Sequence, residues 1–211
     1  MNITIIGAGN VGATLGERWA ANGHSLRFGV RRPDDEALNE RLAHINADIT
    51  NIGEACRDAD VVVLATPWTA AAEALAAAGD LDGRILVDVT NPLNPGLQGL
   101  AVGTETSAAE HLAALAPRAS LVKAFNSTGA ENMRNPDYNG RKALMLICGD
   151  NDDARQVVLN LAAEIGFDAV DAGPLYAARY LEPFAMMWIH LAYKQGLGRD
   201  FAFGLLRRDS E

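Results

Sequence analysis

Three glycines near the start of the chain are spaced as GxGxxG in the string Gly7-Ala8-Gly9-Asn10-Val11-Gly12. That spacing suits a backbone that turns sharply and then lets a diphosphate come close. The string follows a β-branched run at residues 2–6 and opens a run at 10–21 in which Val11, Leu15 and Trp19 recur at helical spacing. In that setting Gly7 permits the strand-to-helix turn, Gly9 the approach of a pyrophosphate, and Gly12 close packing of helix on strand. The helix N-terminus adds free N–H groups and a partial positive charge. Gly7, Gly9, Asn10, Val11 and Gly12 are therefore expected to bind a dinucleotide.

The residues after the second strand-like run, 25–28, say which dinucleotide. A site for NAD carries an acid about 20 residues beyond the glycines, to hold the ribose 2′-hydroxyl. Here the chain continues Gly29-Val30-Arg31-Arg32-Pro33, with two arginines and no acid. A guanidinium forks onto a phosphate and stacks on adenine. Arg31 and Arg32 thus predict NADP(H); the competing reading is a pair of solvated surface charges.

Ligands of open α/β sheets sit beyond the carboxyl ends of the strands. Three such ends are marked here: Ala65-Thr66-Pro67-Trp68, Val89-Thr90-Asn91-Pro92-Leu93 and Lys123-Ala124-Phe125-Asn126-Ser127. Together Thr66, Pro67, Trp68, Asn91, Pro92 and Asn126 are expected to line the nicotinamide and whatever accepts its hydride. Pro, Asn and Thr also favour turns on their own account. His24, His44, His111 and His190 are scattered, His24 reading as a turn residue and His190 as a core histidine within an apolar helix. No Ser-His-Asp or Ser-Tyr-Lys set is present. That poverty of acid–base groups suits transfer to a ring that is itself a cofactor, where stacked orientation matters more than a protein acid.

The elements that must position these residues alternate along the chain. Strand-like runs fall at 2–6, 25–28, 61–65, 84–89, 121–125, 143–148 and 168–171, and helix-like runs at 10–21, 36–43, 69–78, 107–116 and 152–164. Residues 49–57 read as a short strand or turn running into another. The continuous apolar runs VVVLA and RILVDV suit strands buried on both faces. Together they predict an α/β, Rossmann-type, doubly wound and mostly parallel sheet over residues 1–172. Residues 173–211 are expected to form a small C-terminal helical extension of the same compact unit, with one long apolar helix from Leu175 to about Tyr193. The tail that follows carries Phe201, Phe203, Leu205 and Leu206 between charged residues, which predicts a homodimer contact.

The 211 residues are 49% hydrophobic and 21% charged, enough for one sizeable core. A net charge of −9 disfavours nucleic acid and anionic lipid surfaces. The two cysteines, Cys56 and Cys148, form no CxxC pair and suggest no metal site. No secretory leader and no run of about 20 apolar residues is evident, so a cytoplasmic location is expected.

GAGNVG, the arginines after the second strand, ATPW, VKAFNSTGAENM and DAGPL followed by Arg179 and Glu182 resemble the NADPH-dependent coenzyme F420 reductase family over residues 2–206. The reductase domains of the STEAP metalloreductases share the pattern. The resemblance implies a Rossmann domain with a small C-terminal part, a dimer built partly from that part, and hydride transfer between NADP(H) and a small-molecule acceptor, a deazaflavin (coenzyme F420) or a flavin. It further implies Asn91, Asn126 and Leu175 beside the acceptor ring. Val30 stands where the family's deazaflavin reductases often have Ser, and Asn126 where they can carry His. Two alternatives remain: an imine or carbonyl reductase similar to pyrroline-5-carboxylate reductase, whose larger helical C-terminal domain this chain does not match in length, and a non-catalytic NADPH-binding redox sensor.

Overall fold

A computed structural model describes residues 1–208. The strands are β1 (Asn2–Ile6), β2 (Ser25–Val30), β3 (Ala47–Asn51), β4 (Val61–Leu64), β5 (Ile85–Asp88), β6 (Ser120–Lys123), β7 (Asp137–Tyr138), β8 (Arg141–Lys142), β9 (Leu144–Gly149) and β10 (Asp168–Asp171). The helices are α1 (Asn10–Ala21), α2 (Glu36–Leu42), α3 (Ile52–Cys56), α4 (Trp68–Ala78), α5 (Ala108–Leu115), α6 (Ala130–Arg134), α7 (Asp152–Glu164) and α8 (Ala178–Ile189).

Eight strands form one sheet in the order β10-β9-β6-β5-β4-β1-β2-β3. From β3 to β6 every pairing is parallel, β9 runs against β6, and β10 runs parallel to β9. The order reverses between β1 and β4, which is where a doubly wound sheet opens a crevice for ligand. The strands are apolar throughout because both faces are covered. Ile3, Ile5, Val61 and Val63 pack with Trp19 and Phe28 on one face. Ile6, Val62 and Leu64 pack with Leu75 and Leu112 on the other. Such two-sided burial removes the polar alternation a half-exposed strand would show.

Several elements differ from the sequence expectation. Residues 49–57 divide into the end of β3 and the short helix α3, because the Asn51 side chain accepts from the Glu54 amide at 2.9 Å and caps a helix there. The single long helix expected from Leu175 is a 3-10 turn at Leu175–Ala177, then α8, then a π turn at His190–Lys194. Pro183 lies inside α8, where it can donate no backbone hydrogen bond. His190 is exposed rather than in the core, because the chain leaves α-helical geometry at that residue; its Nε2 lies 3.1 Å from Gln195 Nε2. A two-stranded ladder, β7–β8, turns through Asn139 and Gly140, both at positive φ.

The tail folds back on its own chain. Phe201 stacks on Trp188 with centroids 5.3 Å apart, and Phe203 lies 4.5 Å from Phe184. The Leu144 amide donates to the Phe203 carbonyl at 2.8 Å. Self-packing thus accounts for both phenylalanines that motivated the dimer expectation, while Leu205 and Leu206 stay exposed. No helix among the described residues is long and apolar enough to cross a membrane.

Candidate active site

At the end of β1 the chain turns through Gly7 at φ +97°, a conformation only glycine takes freely. A Cβ there would also stand 2.8 Å from the Ala65 carbonyl oxygen at the end of β4. A Cβ on Gly12 would strike the Gly7 carbonyl oxygen and approach Ile5, so Gly12 sets how closely α1 packs on β1. Gly9 differs, because nothing lies within 4 Å of where its Cβ would be. Gly9 is the N-cap of α1 and offers no side-chain acceptor, and the first turn carries no acid. The first N–H groups of α1, on Asn10, Val11 and Gly12, therefore lack a side-chain partner and face the partial positive end of the helix. An uncapped N-terminus beside an open glycine fits a pyrophosphate.

Beside this loop lies a cleft of about 350 Å³. Gly7 and Gly9 line one end, Thr66 and Pro67 another, and Arg31 and Arg32 a third. Small residues make part of the wall, with Gly29 at the end of β2 and Ala70, Ala74 and Ala77 on α4. Among the described residues Arg31 has no ion-pair partner, and Arg32 lies 3.4 Å from Asp35. Asp35 also lines the cleft. Its other oxygen caps α2 by accepting from the Leu38 amide at 3.1 Å, so both oxygens are engaged. Arg41 was not singled out from the sequence. Its guanidinium donates to the Ala8 carbonyl and brings another cation to the glycine loop. Its place on α2 gave no periodic or motif signal.

The ends of β5 and β6 meet at a polar corner. The Asn91 Nδ2 donates to the Asn126 carbonyl at 2.8 Å. The Asn126 Nδ2 donates to Asn91 Oδ1 at 3.2 Å and to the Leu181 carbonyl of α8 at 3.1 Å. Two acceptors on Nδ2 fix which way the carboxamide points. Asn126 Oδ1 and the Thr90 hydroxyl are buried without a protein partner, and so is the Thr66 hydroxyl at the end of β4. Orphaned polar atoms are rare inside proteins, and here they mark the ends of three adjacent strands.

Beneath this corner three charged side chains are buried together. Lys123 donates to Asp88 Oδ2 at 2.8 Å and to the Thr90 carbonyl at 2.6 Å, and lies 3.4 Å from Glu182 Oε1. Glu182 on α8 accepts from the amides of Ala108 and Ala109, the first residues of α5. Asp88 and Glu182 stood in the sequence as an acid in a strand and an acid in an apolar helix, with nothing to link them. Their partner is 35 and 59 residues away. Cys148 lies on β9 nearby, and burial pushes its thiol up to about 12.

The structure brings together Gly7, Gly9, Arg31, Arg32, Thr66 and Pro67 in one cleft, and Asn91 and Asn126 in one corner. Pro92 is buried in the turn after Asn91, its carbonyl accepting from the Ala101 amide at 2.6 Å. Trp68 is the first residue of α4, half-buried against a core cluster rather than lining the cleft. Leu175 is buried in that same cluster with Leu112, Leu121 and Leu181. None of the four histidines joins the site; His24, for instance, lies 2.7 Å from Glu164. No cluster of His, Cys, Asp and Glu among the described residues could hold a metal ion.

Known proteins match this geometry. The metalloreductase STEAP3 of Rattus norvegicus is 32% identical over 180 residues, 85% of this chain but 35% of that protein. The chain therefore spans 35% of the length of the metalloreductases it matches. The F420-dependent NADP reductase of Methanocaldococcus jannaschii is 28% identical over 92% of this chain and 93% of its own. A crystal structure from Arthrobacter sp. FB24, described as a candidate F420-dependent NADP reductase, superposes with a TM-score of 0.89 at 28% identity, covering 98% of this chain and 100% of that one. A reductive aminase from Aspergillus terreus, in complex with NADPH and ethyl levulinate, shares the fold at 18% identity and a TM-score of 0.71, over 93% of this chain and 62% of its own. The family model described as NADP oxidoreductase, coenzyme F420-dependent, matches residues 2–92, from β1 through the Asn91 corner. Residues 2–92 thus resemble the coenzyme F420-dependent NADP oxidoreductase family.

Proposed function

We propose that the protein is an NADPH-dependent oxidoreductase that passes hydride to a flat ring acceptor, a deazaflavin such as coenzyme F420 or a flavin. The observation that carries this reading is the adjacency of the strand ends. The cleft with the arginine pair, the uncapped α1 and Thr66 lies at the ends of β1, β2 and β4, and the corner of Thr90, Asn91 and Asn126 lies at the ends of β5 and β6, the next strands in the sheet. Arg31 and Arg32 hold the 2′-phosphate, with Arg41 adding charge beside the glycine loop. The amides at the start of α1 hold the pyrophosphate. NADPH supplies the hydride. The remaining residues bind and orient: Thr66 and Pro67 border the nicotinamide, and Asn91 and Asn126 border the acceptor. No side chain in the corner offers an acid or base, which suits an acceptor whose own ring carries the chemistry.

Leu175 and Trp68 act on this reading as supports behind the site, since both pack into the core that carries α4 and α8. Residues 173–208 serve as the wall that closes the corner, through the Leu181 carbonyl. A homodimer is part of the proposal, with the outer face of α8 and the turn before it as its contact; Tyr176, Tyr180 and Met187 are exposed there.

The test is the anaerobic loss of reduced-nicotinamide absorbance with NADPH and NADH, against coenzyme F420, FMN and FAD. Turnover with NADPH and one of these rings is expected. NADPH binding with no turnover of any ring would overturn the ring acceptor and leave a sensor.

A further inference from the structure

The buried charges under the corner form a closed circuit with it. The Lys123 ammonium grips the Thr90 carbonyl, and Asp88, its ion-pair partner, accepts from the Thr90 amide at 2.8 Å. Both backbone groups of Thr90 are thus held by the two members of one ion pair. Asn91 is the next residue and exchanges hydrogen bonds with Asn126. Asn126 donates to the Leu181 carbonyl, and the residue after Leu181 is Glu182, which returns to Lys123 at 3.4 Å. The path Lys123–Thr90–Asn91–Asn126–Leu181–Glu182–Lys123 joins β5, β6 and α8 without a gap. All three ammonium protons have an acceptor in reach.

Stability alone does not explain this arrangement. Burying an ion pair costs desolvation that its mutual attraction barely repays, and apolar or neutral replacements of similar shape are often as stable. Two acids face one base in the interior, and the first amides of α5 are spent on Glu182. What the circuit does achieve is geometric. It leaves two polar atoms pointing away from every protein partner, the Thr90 hydroxyl and Asn126 Oδ1.

We propose that Lys123 is a positioning residue for the acceptor corner. Its ammonium fixes Thr90 directly, and Asn126 through Glu182 and α8, in the arrangement that meets the hydride acceptor. The proposal rests on the reading that this corner receives the acceptor. Lys123 touches neither cofactor nor acceptor; it acts through the residues it holds.

The test replaces the circuit's charges while leaving none unpaired. In the triple variant Asp88→Asn, Lys123→Met, Glu182→Gln, the new Asn still accepts from the Thr90 amide, and the new Gln keeps an oxygen for α5. The expected result is a folded protein with wild-type thermal stability and NADPH affinity, but kcat/KM for the acceptor lower by about 10- to 100-fold, the cost of a misplaced partner. The side-chain amide signals of Asn91 and Asn126 in 15N NMR spectra should shift or broaden in step. A folded variant with those signals unmoved and kcat/KM within about twofold of wild type overturns the proposal. If circular dichroism shows the triple variant unfolded, Glu182→Gln alone decides, because it loosens only the α8 limb. The Asn126 signal should then move while NADPH affinity holds, and an unmoved signal overturns the proposal. A wild-type protein that turns over no ring acceptor counts against the functional reading instead, and the amide signals report on the positioning whichever way that falls.

Discussion

Removing a hydroxyl that bonds to nothing among the described residues costs the fold little, so Thr90 separates binding from folding. Thr90→Val keeps the shape and removes only the orphaned oxygen. Its melting temperature should match or exceed wild type, while KM for the acceptor rises; an unchanged KM would take Thr90 out of the site. The glycines make a complementary pair. Gly12→Ala drives a methyl onto the Gly7 carbonyl and should destabilise the fold by about 2 kcal/mol, the scale of an overpacked core. Gly9→Ala meets open space, so the fold should survive it while NADPH affinity drops, read by urea melts and fluorescence titration side by side. Arg31→Ala removes a cation with no ion-pair partner among the described residues. It should weaken NADPH by about tenfold or more, the scale of a charge-assisted hydrogen bond to phosphate, and leave NADH affinity nearly unchanged.

At the scale of elements, two helix starts illustrate how one local chemistry serves opposite ends. The start of α5 is fully engaged: Glu182 takes the amides of Ala108 and Ala109, and Ser107 Oγ takes that of Glu110 at 3.1 Å. The start of α1 has no such side chain. Glu110 also receives a two-pronged hydrogen bond from Arg179, at 2.6 and 2.9 Å, which ties α8 to α5. That bond holds the Glu110 carboxyl below its ordinary value. Because the folded value is the depressed one, the contribution is present above the unfolded carboxyl value of about 4.3 and fades as pH falls through the folded value. Arg179→Leu should therefore lower the urea midpoint at pH 7, and by less as pH falls through the carboxyl range. A loss that does not shrink with falling pH would rule out the ion pair as the cause. These elements also show what a sequence can reveal. The βαβ alternation and the glycine loop were legible, because each is written within some thirty residues in hydrophobic period and residue type. The place of the arginine pair at the cleft was legible by its position after β2. The β7–β8 hairpin was not legible, because its strands are two residues each, too short to show alternation. The Lys123 circuit was illegible. Its members are separated by up to 94 residues, Asp88 to Glu182, and a lone charge in an apolar run has no period.

Over the whole molecule, both thiols are free and buried. Burial pushes Cys56 up to about 11 and Cys148 up to about 12. At pH 8 about a thousandth or less of either is thiolate. Ellman's reagent should react with neither until the protein is unfolded; a fast-reacting thiol in the native state would mean that one of them opens to solvent. Light scattering should give the mass of two chains if the face carrying Tyr176, Tyr180 and Met187 is a contact, and the mass of one would remove it. The reversal of β9 against β6 reaches further than the sheet. It sends the chain out of β10 toward the far edge, and α8 must climb back before Leu181 and Glu182 arrive beside Asn126 and Lys123. The cleft is lined by residues 6–77, whereas the corner is closed by the Leu181 carbonyl. A chain emerging from the ribosome N-terminus first has every residue that lines the cleft long before α8 exists. Synthesis thus separates the two halves of the proposed site in time, and Trp19, which packs against Phe125 and donates to the Leu161 carbonyl, makes the earlier half wait for the later one to complete its core.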